Sequence, residues 1–297
     1  MMNPPSDFLL IERINQCPKL ASLKSINDTL KDLLDSEDSF VSQIAEVIRL
    51  DPSLTTRVLD LVNSIFFGSK EEERISGVEE ASIFLGLNRI RDLLAATPVI
   101  EEIFKLGKQS QSFPWVDFWR HSIGTAMLTR EILSIAELEF EQEADYIAGL
   151  LHNLGILILA ITFPEHFSYI YKKKFSSQKE LISMENDSVG WDHAKIGAYY
   201  LWNHHISEEV VNAIHWHNEP EKAESNPQLA AAIQLADHFV RQLKVTGMEE
   251  CPVPETGSYK ELEGWNILFS EHQEVEEMEL RMEGAVERLS KTLKGIL

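Results

Sequence analysis

Five side chains in the middle of this chain are of the types that hold metal ions or move protons. They are His121 in FWRHS, His152 in AGLLHNLG, His193 in DHAKIGA, His217 in IHWHN and Asp237 in LAD. A single histidine on an apolar helix is ordinarily a hydrogen-bonded core residue. The set says more, because small residues flank its members. Ala148, Gly149, Gly155, Gly197 and Ala198 let helices approach closely, as imidazoles converging on one point require. Imidazoles with a carboxylate are the usual ligands of Zn, Fe, Mn or Ni. Other chemistries lack their signatures: there is no G-x-S-x-G, Gly-rich phosphate loop, H-E-x-x-H or C-x-x-C.

The elements that must position these residues read as helices throughout. Ile44, Val47 and Ile48, then Leu54, Val58, Leu61 and Ile65, recur at three- and four-residue steps. Asp51-Pro52 is a helix start, Ser76 to Glu79 a capping box, and Gly86 a helix stop. Long helices are expected over 115–136, 141–161, 193–203, 208–217 and 227–245. Thr246 to Ser258, with Pro252, Pro254 and Gly257, reads as a linker. A final stripe, Val275, Met278, Met282, Val286, Leu289, Leu293 and Ile296, runs along one helix with Gly284 inside it. The expected architecture is all-α: an N-terminal bundle of short helices over 15–106, packed on a central helical domain over 107–245. An acidic amphipathic C-terminal helix completes it, reached through a linker within 246–297.

Charge narrows the classes of partner. The 297 residues hold 27 Lys and Arg against 48 Asp and Glu, a net −21. Such a surface repels phosphate backbones, so direct binding to nucleic acid or an anionic membrane is not expected. The longest apolar run, Ile147 to Ile161, is short for a membrane span and carries His152 and Asn153. The N-terminus lacks a basic region, an apolar core and a small-residue cleavage site, so no export signal is expected, and Cys17 and Cys251 fit no metal or redox spacing. A cytoplasmic protein with reduced thiols is the expectation. Lys172 to Lys174 reads as a solvated helix end, His204-His205 as a turn, and Phe66-Phe67-Gly68 as cover for the N-terminal core.

The motif LLHNLG resembles the L-L-H-D-I-G signature of HD-superfamily phosphohydrolases. IAEVIRLDPSLTTRVLDLVNSIFFG, ISGVEEASIFLGLNRIRDLLAA and HAKIGAYYLWNHHISEEVVNAIHWHNEP resemble the HDOD domain, a bacterial signalling relative of the HD-GYP phosphodiesterases. The resemblance covers roughly residues 15–245. It implies that His121, His152 and Asp237 stand at the positions of a mononuclear metal site, and His193 and His217 at those serving a second metal. Two departures matter. The His-Asp pair of active relatives reads His152-Asn153, and a later His-His pair reads His217-Asn218. Asn is nearly isosteric with Asp but neutral, so the site should hold a divalent ion (Fe, Mn, Zn or Ni) only weakly. No cofactor is therefore expected to be tightly bound. The expected function is a non-enzymatic signalling module with a degenerate metal site, acting on a protein partner or through a small ligand in the pocket. The alternative is a metal-dependent phosphohydrolase of nucleotides or cyclic dinucleotides that tolerates Asn153. The C-terminal stripe either packs on the chain's own bundle or docks a second copy or a partner.

Overall fold

A computed structural model describes residues 4–17, 33, 41–49, 58, 78–83, 85, 86, 90, 113–138, 140, 144–203, 206–248, 252–254, 258–270 and 275–295. The chain is all-α, with no strand among the described residues. Residues 1–19 and 105–289 form one compact unit, and 20–104 with 290–297 form another. The expected features at Asp51-Pro52, Ser76, Phe66-Phe67-Gly68, His204-His205 and Cys251 lie outside the described residues.

Of the smaller unit, α2 (Val41–Arg49) carries the apolar period read from the sequence, with Ile44, Ala45 and Ile48 buried. Gly86 adopts φ +74°, the left-handed conformation that stops a helix at low cost in glycine.

The larger unit opens with α1 (Asp7–Gln16), which the sequence reading left unassigned. Ser6 caps it by accepting from the Leu9 amide, and Arg13 ties it back by donating to the Thr162 carbonyl at 3.0 Å. Next come α3 (Trp115–Ile135), α4 (Ala144–Leu151), α5 (Leu154–Thr162), α6 (Pro164–Ile170) and α7 (Gln178–Val189). Then follow α8 (His193–Asn203), α9 (Glu208–Trp216) and α10 (Pro227–Gln242), and finally α11 (Glu263–Phe269) and α12 (Val275–Gly295). α10 lies at the centre: it packs on α3, α9 and α11, and twelve of its residues from Leu229 to Arg241 are buried.

The helix expected over 141–161 is two helices, interrupted at His152-Asn153. The His152 Nδ1–H donates to the Gly149 carbonyl at 2.7 Å, and Asn153 turns to φ −99°, ψ 11°. A side chain thus takes over part of the backbone's bonding, and the chain bends at the site. The apolar stretch Ala144–Thr162 has the length and hydropathy of a membrane span, yet 78% of its most apolar window is buried inside the protein.

Glycines permit the crossings. A Cβ on Gly155 would stand 1.8 Å from the His193 carbonyl oxygen and 2.7 Å from the Gly197 nitrogen, so α5 and α8 cross backbone to backbone. A Cβ on Gly149 would stand 2.7 Å from the Ala126 Cα, so α4 and α3 also pack with no room for a side chain there. On α12 Met278, Met282 and Leu289 of the stripe are buried, with Ala285 beside them, while Val275 and Val286 are half-buried. Its polar flank is pinned by Lys260 to Glu279 at 2.6 Å and by Arg288 to Glu131 of α3.

Candidate metal centre

Four histidine rings from four helical segments form a row with no surface of their own. His121 comes from the first turns of α3, His152 from the end of α4, His193 from the start of α8 and His217 from the end of α9. All four are 0% exposed. Ring centroids stand 5.2 Å apart from His121 to His152, 5.3 Å from His152 to His217, and 5.7 Å from His217 to His193. Asp237, 6% exposed, reaches the row from α10.

Hydrogen bonds at Nδ1 decide what the rings present to one another. His121 Nδ1 donates to the Val245 carbonyl at 2.8 Å, His152 Nδ1 to Gly149 O, and His217 Nδ1 to Ile214 O at 2.7 Å. A carbonyl only accepts, so each Nδ1 carries the hydrogen, and in the neutral form each ring turns a bare Nε2 lone pair inward. His193 Nδ1 likewise donates to the Glu185 carboxylate at 2.7 Å. The two His-Asn pairs repeat one local device. Each follows a helix end, hangs its ring on the carbonyl three residues back, and aims its Asn amide into the cluster.

At one end of the row, acceptors face acceptors. His121 Nε2 and His152 Nε2 are 3.2 Å apart, and Asp237 Oδ1 lies 3.0 Å from the first and 3.5 Å from the second. Donors about 2.0–2.2 Å from one ion stand about 3.0–3.6 Å from each other, so these separations are those of one face of a coordination shell. The donor set of two imidazoles and a carboxylate suits a borderline divalent ion. Asn153 Nδ2 donates to His121 Nε2 at 3.1 Å, while its Oδ1 is buried without a hydrogen-bond partner. A buried unpaired carbonyl oxygen beside this triangle is a second observation that fits a cation there. The residues present therefore fit one divalent ion held by His121, His152 and Asp237.

At the other end no such triangle exists. Asn218 Nδ2 donates to His217 Nε2 at 3.1 Å and lies 3.5 Å from His193 Nε2. Among the described residues no carboxylate or third imidazole joins His193 and His217 as Asp237 joins His121 and His152.

Burial sets the charges. It lowers the His152 pKa to about 4, partly offset by Asp237, and drives His217 well below the usual imidazole range. Burial also opposes a charge on His193, but Glu185 outweighs it and raises that pKa. For Asp237, burial disfavours the carboxylate, yet the Arg241 guanidinium beside it holds it well below its ordinary value.

The structure brings His121, His152, Asn153 and Asp237 together, and His193, His217 and Asn218 together beside them. Sequence reasoning missed Glu185, Gln178, Arg241, Val245 and Gly247. Glu185 is 0% exposed and holds His193 through both its ring and its amide. Its signal was present, because it sits four residues after buried Leu181 in an apolar stripe, where a carboxylate needs a partner. Gly247 lies against the His121 ring, where a Cβ would meet ring atoms at 3.1 Å.

Residues 20–220, about two thirds of the chain, match the HDOD domain family. An uncharacterized protein of Treponema pallidum (strain Nichols) is 27% identical over 240 residues, covering 79% of this chain and 44% of that protein. The chain thus spans less than half the length of that curated relative. An HDOD domain protein from Geobacter sulfurreducens superposes with a TM-score of 0.74 at 18% identity, covering 98% of this chain and 97% of its own. A provisionally named phosphohydrolase from Shewanella amazonensis SB2B does so with a TM-score of 0.69 at 22% identity, covering 97% and 98%. At such identities the superpositions show the fold and leave the chemistry to the site. The family match extends across both His-Asn pairs and four of the five positions that first drew attention; this chain belongs to the HDOD domain family.

Proposed function

We propose that this chain is a non-enzymatic HDOD signalling module that works by binding a protein partner and keeps a degenerate metal site capable of one divalent ion. The observation that carries the reading is the His193–His217 end of the row, where Asn218 Nδ2 lies 3.1 Å from His217 Nε2 and 3.5 Å from His193 Nε2 and, among the described residues, no carboxylate completes a ligand set for a second ion. The burial of the row supports it, since no ring of the four has any accessible surface for a phosphate ester to reach. An ion held by His121, His152 and Asp237 would supply Lewis acidity toward a phosphate oxygen. The side chains around it supply little else: the His152 and His217 rings are neutral at pH 7 and bound at Nδ1, and the only carboxylate of the triangle is shared with Arg241. The intact triangle is what favours the competing reading, a metal-dependent phosphohydrolase of nucleotides or cyclic dinucleotides.

Turnover separates the two. Purified protein supplied with Mn, Fe, Zn or Ni is expected to leave cyclic dinucleotides and nucleoside phosphates uncleaved above background. Metal-dependent cleavage that disappears in His152→Ala would overturn the reading.

A further inference from the structure

Arg241 lies one helical turn after Asp237 on α10 and is 3% exposed. Its Nε donates to Asp237 Oδ1 at 2.9 Å, the same oxygen that faces His121 and His152. Its Nη1 donates to the Gln178 side-chain carbonyl, so the guanidinium is held at both ends. Gln178 Nε2 in turn lies 3.4 Å from Asn218 Oδ1, and the Asn218 backbone carbonyl accepts from Gln234 at 3.1 Å. One chain of side chains thus runs from the metal-type triangle, through a buried cation, to the amide between the other two histidines.

The charge count follows. With both imidazoles offering their Nε2 lone pairs, as an ion requires, the two rings, one carboxylate and one guanidinium sum to zero before any ion arrives. An oxygen has lone pairs enough for both an N–H and an ion, so the conflict is electrostatic and not steric. A divalent ion would bring two positive charges into a buried space whose single negative charge is already matched by a fixed cation a few ångströms away. In such surroundings the repulsion is poorly screened. We propose that Arg241 is the resident counter-cation of this site, a positioning residue that sets how weakly His121, His152 and Asp237 take a divalent ion, with Gln178 holding it in place. The proposal rests on the reading of that triangle as the ion site. It assigns the weakness to a side chain outside the triangle as well as to Asn153.

Calorimetric titration of the full chain with Mn²⁺ and with Zn²⁺, after removal of adventitious metal by a chelator, tests it. Arg241→Gln is expected to bind at least about tenfold more tightly than wild type, and Arg241→Lys, which restores the charge, to stay within about threefold of it. A purely structural role for Arg241 would not tighten binding in the one variant and spare the other. Equal or weaker binding by folded Arg241→Gln would overturn the proposal. Should that variant fail to fold, Gln178→Met decides: tighter binding supports the proposal and unchanged binding overturns it. Adding His121→Ala to the tighter variant should abolish the gain. If the gain persists, the ion lies elsewhere, and it is the assignment of the site that has failed.

Discussion

Burial of the His152 ring makes acid a destabilising agent for this protein. The unfolded chain takes up a proton near pH 6.5, whereas the folded ring does so only near pH 4. Between those values the unfolded state binds the extra proton, so stability falls as pH falls. His217 acts in the same direction. His193 does the opposite on the alkaline side, because its raised pKa gives stability that is lost as pH rises through it. Urea unfolding of chelator-treated protein should therefore show a loss of about 1.5 kcal/mol from His152 between pH 6.5 and pH 5. A His152→Gln variant should flatten that slope, and a protein more stable at pH 5 than at pH 7 would contradict the assignment. At this scale the sequence revealed the members that repeat a pattern, the histidines and their Asn neighbours. Gln178 and Arg241 were illegible because their roles depend on which helices meet. Val245 and Gly247 were assigned to a helix end and a linker, yet both sit on the His121 ring.

Among the elements, α5 and α8 show what the small residues near the histidines do. Gly155→Ala would drive a methyl group into the His193 backbone, where nothing flexible can yield. Its expected cost is about 3 kcal/mol or more, read as a fall in the unfolding midpoint. Gly284→Ala on α12 should act the other way. The new Cβ would meet only the far end of the Arg288 side chain at 3.3 Å, so a gain of about 0.5–1 kcal/mol in helix propensity is expected. If both substitutions proved neutral, the packing account of these glycines would be wrong. Periodicity identified α8 and α9 almost to the residue and α10 to within three, because each carries a clear apolar face. It could not show the break between α4 and α5. Every position from Leu154 to Ala160 is buried, so the run has no polar face to mark its turns. α1, α6, α7 and α11 went unread as short or mixed segments whose helicity comes from packing.

For the molecule as a whole, the tail carries much of the acid and yet is built into the fold. Removing α12 by truncation after Ser270 would uncover whatever Met278, Met282, Ala285 and Leu289 cover. The expected result is a lower unfolding temperature, by about 2–4 °C for each kcal/mol lost, with the mass in solution unchanged. A change of mass would show that the helix joins copies of the chain.

Whether the buried row can assemble a two-metal centre is the most direct question. Protein loaded with excess Mn²⁺ or Fe²⁺ and then desalted can be assayed for bound metal by elemental analysis. At most one equivalent is predicted, lost in His152→Ala, because among the described residues only His121, His152 and Asp237 gather as a ligand set. Two equivalents per chain would contradict the account.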